Sequence, residues 1–279
     1  MMRRQPIAPS IHAVAAMVAL AAGAGGAWAA PAAVAASDIA AIPAQHYRGI
    51  AYGAEDGRER YRESHWVFQA DGHETRLVLY QCPDGAPFAR KWVRGRVDDP
   101  APNFDLIDQR DGYREGVRGS GSQREVYVQK GEGKPMESAP LPTPADLVID
   151  AGFDAYVRSH WRQLEQSGGR AVPFLVPSRL AAFELKVDAQ DRVMDGTPVY
   201  RIRMRLDAWY GFATPTILVS YAEADRRLWR FEGISNLRNH TGGTQNVRLD
   251  FPPAERDAPP SRQDMDAAAA MPLVSRCDD

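Results

Sequence analysis

The chain has 279 residues, 44% of them hydrophobic and 25% charged, with a formal net charge of -2. That composition excludes wholesale disorder, a collagen-like fibre and a multi-span membrane protein, and the near-neutral balance gives no footprint for nucleic acid or an anionic membrane. The basic residues are nearly all arginine; lysine occurs only at Lys91, Lys130, Lys134 and Lys186.

The first 29 residues read as a secretory leader. Arg3 and Arg4 give a short positive start, residues 11–22 an apolar run, and Ala27-Trp28-Ala29 a small-x-small site. Cleavage is expected between Ala29 and Ala30, with Ala33-Val34-Ala35 as a second candidate. The apolar run falls short of the ~20 strongly apolar residues of a membrane anchor. No cysteine follows it for lipid attachment, the first being Cys82. Arg3-Arg4 leaves the export route open. The mature chain is expected in a periplasm, or secreted, with no membrane span. Residues 30–45 read as a flexible lead-in, 46–251 as one β-rich domain with 131–145 as its only internal boundary, and 252–279 as a tail.

From Tyr47 the pattern is that of strands. Over residues 61–69, Arg62, Ser64, Trp66 and Phe68 face one way, and Tyr61, Glu63, His65, Val67 and Gln69 the other. Ala70-Asp71-Gly72-His73 is a turn, residues 74–80 the returning strand, Pro83-Asp84-Gly85 a second turn and 88–97 a third strand. Residues 98–123 read as loop, 125–130 as a short strand, and 131–145 as a connector. Phe153, Tyr156, Val157, His160, Trp161 and Leu164 then recur at helical spacing. This predicts a helix at about 150–166, with Asp150 placed to cap it and Gly168-Gly169 to end it. Strands follow at 171–176, 180–187, 200–206, 214–221, 227–234 and 246–251. The sum is a mainly β (α+β) protein: a curved antiparallel sheet or half-open barrel wrapped around one principal helix.

Diagnostic catalytic motifs are missing: there is no G-x-S-x-G, Walker loop, H-E-x-x-H or C-x-x-C. Asp105, Asp108 and Asp111 recur every third residue. Paired carboxylates can do acid–base work, and Asp105 or Asp108 with His65 would be the catalytic candidates. The same aspartates also suit a solvated, turn-rich loop. His46, His65, His73, His160 and His240 are dispersed without metal-ligand spacing, so no metal or cofactor is expected. Arg201, Arg203 and Arg205 form a basic ladder on one strand face, and Arg90, Trp92, Arg94 and Arg96 a similar face on another. Such faces can grip an anionic group beside an apolar one, with Trp92 and Trp161 as apolar partners, or can simply be solvent faces paired with neighbouring carboxylates. Two cysteines in an oxidising compartment imply a Cys82–Cys277 disulfide.

Residues 214–251, TPTILVSYAEADRRLWRFEGISNLRNHTGGTQNVRLDF, give a strand, an acidic turn, L-x-R-F-x-G-x-S-N-L, a Gly-Gly turn and a closing strand. This half resembles the lipoprotein-localisation carrier superfamily and related uncharacterised proteobacterial periplasmic proteins. The resemblance implies a half-open barrel on a helix, with an apolar concave face that takes acyl chains. The leading expectation is a non-enzymatic periplasmic protein binding a lipid or other amphipathic envelope ligand, with Phe153, Tyr156, Trp161, Ile202 and Met204 in its core. The alternatives are an envelope hydrolase using loop carboxylates, and an envelope scaffold with a protein partner.

Overall fold

The computed structural model describes residues 44–166, 168–206, 216–239 and 242–277. The expected leader, its cleavage site at Ala29 and Ala30, most of the lead-in and His240 lie outside these.

Fourteen strands form one antiparallel sheet: β1 (Gln45–Gly53), β2 (Glu59–Ala70), β3 (His73–Gln81), β4 (Pro87–Arg96), β5 (Asn103–Asp108), β6 (Tyr113–Arg118), β7 (Glu125–Lys130), β8 (Met136–Pro140), β9 (Arg170–Val176), β10 (Ala181–Met194), β11 (Thr197–Leu206), β12 (Ile217–Ala222), β13 (Leu228–Arg238) and β14 (Thr244–Asp250). The order is β8-β7-β6-β5-β4-β3-β2-β1-β14-β13-β12-β11-β10-β9. The chain thus enters at the middle, meanders to one edge, crosses to the other and returns until β14 pairs with β1. Helix α1 (Gly152–Gln166) lies in the crossover. Tight turns set the register. Asp71-Gly72 and Asp195-Gly196 both carry positive φ at each residue, as two-residue hairpin loops of the primed type require.

The sheet curls strongly. Arg238 of β13 stands 3.3 Å from Asp111 and lies over the Tyr113 ring of β6. β13 and β6 are seven steps apart in the sheet, about 34 Å if it were flat. The turn Pro177–Arg179 after β9 rests on β6 and β7. Among the described residues β8 and β9 end the sheet without pairing to each other, so the barrel is not closed.

α1 presents Phe153, Tyr156, Val157, Trp161 and Leu164 to the concave side of β10–β12, where Val187, Ile202, Met204, Val219 and Tyr221 receive it. Trp161 lies 4.7 Å from the Tyr200 ring. The expected core residues of this half are therefore in one cluster. Its start is tightly seated: a Cβ on Gly152 would stand 2.1 Å from the Pro100 carbonyl oxygen. Gly152→Ala is accordingly expected to cost about 1–3 kcal/mol by overpacking, read as a lower urea midpoint.

Three regions differ from the sequence expectation. Residues 98–123, read as loop, contain β5 and β6: Phe104, Leu106, Tyr113 and Val117 do alternate inward, but the turn-forming Asp and Gly residues between them dominate the local pattern. Residues 252–279, read as a tail, contain helix α2 (Arg262–Ala270). Ser261 caps it, accepting from the Asp264 N–H while the Asp264 carboxylate accepts from the Ser261 N–H. Its Met265 and Ala268 pack on Leu77 and Leu79 of β3, on the convex face. The connector at 131–145 likewise holds the short edge strand β8. The expected Cys82–Cys277 disulfide is present, joining the end of β3 to the C-terminal segment across 195 residues. No helix among the described residues is long and apolar enough to cross a membrane.

Candidate functional site

The concave side of β1–β6 carries charge. One row of the sheet runs Tyr47, His65, Val78, Lys91, Leu106, Glu115 across consecutive strands, so apolar and ionisable side chains alternate over the interior. Glu63 lies one step along, bonded to His65 Nε2 at 2.9 Å. Asp150 enters from the crossover with a left-handed backbone (φ 45) and meets Lys91 Nζ at 2.9 Å. Arg76 pairs with Glu74 at 3.1 Å and with Asp154 of α1 at 3.5 Å, and the Tyr221 hydroxyl donates to Asp154 at 2.7 Å. The Tyr113 hydroxyl donates to Glu115 at 2.7 Å.

Burial decides the protonation of this cluster. It opposes charge on Lys91, but Asp150 and Glu63 outweigh it and hold the ammonium above the ordinary lysine value. Burial pushes Glu115 up to about 7, with Asp150 adding to the rise and Tyr113, Lys91 and Arg238 opposing it. Burial also keeps His65 below its usual value despite Glu63. The cluster ties the crossover and the start of α1 to the sheet through these pairs, while His65 Nδ1 and Arg76 Nε are buried without a hydrogen-bond partner.

A groove of about 450 Å³ lies on the opposite, convex side, between α2 and strands β1–β3. Trp66, Leu79, Ala267, Ala268 and Met271 make its apolar walls, and His46, Arg48, Arg62, Ser64 and Gln81 its polar edge. The volume falls within the range of small-molecule sites. His46 stacks on Trp66 at 4.5 Å and bonds Asp257 through Nδ1 at 2.7 Å. Arg48 reaches Glu255 at 2.8 Å and Asp257 at 2.6 Å. These contacts fasten the segment leading into α2. A second cleft, of about 20 Å³, opens between Arg76, Arg158 and the start of α1 and has room for about one water.

The residues singled out in the sequence do not converge. His65 faces the interior on β2, whereas Asp105 of β5 lies on the convex face with Tyr127 as its partner. Asp108 does face inward, but its carboxylate is taken by Arg110 at 2.7 Å. β2 and β5 are three steps apart, about 14 Å. Arg201, Arg203 and Arg205 stand on the convex face of β11: Arg203 meets Asp188 at 2.9 Å, Arg205 the same carboxylate at 3.9 Å, and Arg201 meets Glu232 at 3.5 Å. Trp92 is on the convex face of β4 under α2, its ring covered by Arg94, seven steps from β11. Trp161 is inside, on α1. Asp150, placed in the sequence to cap α1, instead turns its side chain to Lys91.

Sequence reasoning missed Lys91, Glu115 and the groove. A signal existed for Lys91: it alternates with Ala89 and Val93, opposite the Arg90, Trp92 and Arg94 face. For α2 the signal was Ser261-x-x-Asp264 ahead of four alanines.

No protein-family model matches the chain, and no curated protein matches it. Among solved structures it is similar to the crystal structure of a DUF1329 family protein from Desulfovibrio piger, at 9% identity over 75% of this chain and 83% of that one, with a TM-score of 0.24. That likeness is too slight to bear on what the chain does.

Proposed function

We propose that this is an exported, non-enzymatic periplasmic protein that binds an amphipathic envelope ligand, and that the ligand lies in the groove between α2 and β1–β3. The observation that carries this reading is the lining of the groove: apolar walls, a cationic edge formed by Arg48 and Arg62 with the His46 imidazole beside them, and no carboxylate among the lining residues. An apolar tail would lie along Trp66, Leu79 and Met271, with an anionic head at Arg62, which Glu59 now holds at 2.7 Å. The concave face is a poorer candidate, because α1 covers it over β10–β12 and ion pairs cross it over β2–β6. The disulfide supports an oxidising compartment.

Titration with a fluorescent fatty acid or lysophospholipid is expected to saturate at one ligand per chain. Ala267→Trp adds bulk to the groove from an exposed position of α2 and is expected to weaken binding at least tenfold. Titration without saturation in the unmodified protein would overturn the reading. Protein recovered from the periplasm is expected to begin at Ala30.

A further inference from the structure

The segment after β14 crosses the convex face as a strap with two unlike fastenings. Its near end is polar. Arg48 and His46 bind Glu255 and Asp257, and the Asp257 N–H donates to the His46 carbonyl at 3.1 Å. Its far end is covalent, through Cys277 to Cys82. Between them α2 has nine residues and buries only Met265 and Ala268. A helix that short is marginal unless something holds it in place. Beneath it lie Leu77, Leu79, Trp66, Phe68 and Trp92, an apolar patch that the rest of the sheet does not cover. The Val274 N–H bond to Pro87 and the Arg90 bond to the Met271 carbonyl fasten the strap next to the disulfide.

We propose that the strap is a redox-latched cover: a dithiol reductant that opens Cys82–Cys277 frees residues 261–277 from β2–β4, while residues 252–257 stay anchored. Cys82 is fully buried and Cys277 only partly so, which makes the Cys277 sulfur the one a thiolate reaches. The reductant thiolate attacks Cys277 Sγ, forming a mixed disulfide and expelling the Cys82 thiolate, which takes up a proton. The second reductant thiol then attacks the mixed disulfide, closing its own S–S bond and releasing Cys277 as a thiol. The protein disulfide gains two electrons, and the dithiol loses them. Ala258-Pro259-Pro260 forms the pivot, between the last ion pair and the Ser261 cap. The inference holds whatever the groove binds.

Hydrogen exchange on the full mature chain tests it, comparing the oxidised protein with the same protein reduced by dithiothreitol and with C82S/C277S. Exchange over 263–274 is expected to rise at least tenfold after reduction, with β2–β4 and the Asp257 amide unchanged. Acrylamide is expected to quench tryptophan emission more strongly in the reduced form. Unchanged exchange over 263–274 with both thiols free, or simultaneous loss of protection in β2–β4, overturns the proposal. If C82S/C277S fails to fold, the reduced native sequence decides between these outcomes.

Discussion

Replacing Lys91 with methionine is expected to lower stability by about 3–5 kcal/mol, the cost of removing one partner from a buried ion pair. Lys91 is 8% exposed, and its ammonium lies 2.9 Å and 3.1 Å from the two Asp150 oxygens. Methionine keeps the apolar stem and removes only the charge, so the loss falls on Asp150. What remains to Asp150 is Asn236 Nδ2 at 3.5 Å, too long to replace an ammonium. Asp150 also sits where the crossover is most constrained. Ile149 donates its N–H to Pro100 at 2.9 Å, and Gly152 leaves no room for a side chain. K91M/D150N is therefore expected to recover most of the loss, because asparagine tolerates the left-handed backbone and brings no charge. Urea denaturation of the two single variants and the double variant forms the cycle. A loss below about 1 kcal/mol for K91M, or simple additivity in the double variant, would show that the pair does not hold the crossover.

The fold was legible where alternation was uninterrupted. β2, β3, β4 and β11 and the helix α1 follow directly from periodicity, and the Asp-Gly turns mark the hairpins between them. β5 and β6 were hidden because each has six residues and the turns around them are longer in polar signal than the strands are in apolar signal. The row His65, Lys91, Glu115 was illegible for a different reason. Alternation shows which residues share a face, but a face holding both charge and hydrophobe reads as solvent-exposed until neighbouring strands supply its partners. Lys91 finds Asp150 59 positions away, and no local pattern reports that distance. The groove joins strands β1–β3 to a helix nearly two hundred residues later. The pair of cysteines places the end of the chain against the end of β3, and Ser261-x-x-Asp264 marks the start of a helix, but neither says that the helix lies over β1–β3.

Glu115→Gln is expected to change how stability depends on pH, with a difference of about 3 kcal/mol between its two limits. Burial holds the Glu115 carboxyl near 7 in the folded chain, against an ordinary value of 4.5 in the unfolded one. Each unit is worth about 1.4 kcal/mol, which sets the size of the effect. The sign follows from proton counts. Between these two values the folded state holds a proton that the unfolded state has given up, so stability falls as pH rises through this window. The contribution is complete below about pH 4.5 and lost above about pH 7. Glutamine has no proton to lose, and its side-chain oxygen can still accept from the Tyr113 hydroxyl, now 2.7 Å from Glu115. E115Q is thus expected to gain on the native sequence as pH rises from 5 to 8. His65 pulls the other way in the same window. Burial holds its imidazole below the ordinary value, so its contribution grows with pH in both proteins. The comparison must therefore be the difference between the two urea-stability profiles at pH 5, 6, 7 and 8, from which the His65 contribution cancels. Parallel profiles would mean that Glu115 is ionised in the folded state throughout. Lys91 would then face three buried carboxylates, Glu63, Glu115 and Asp150, with Arg238 also acting on Glu115 and His65 held toward its neutral form by burial.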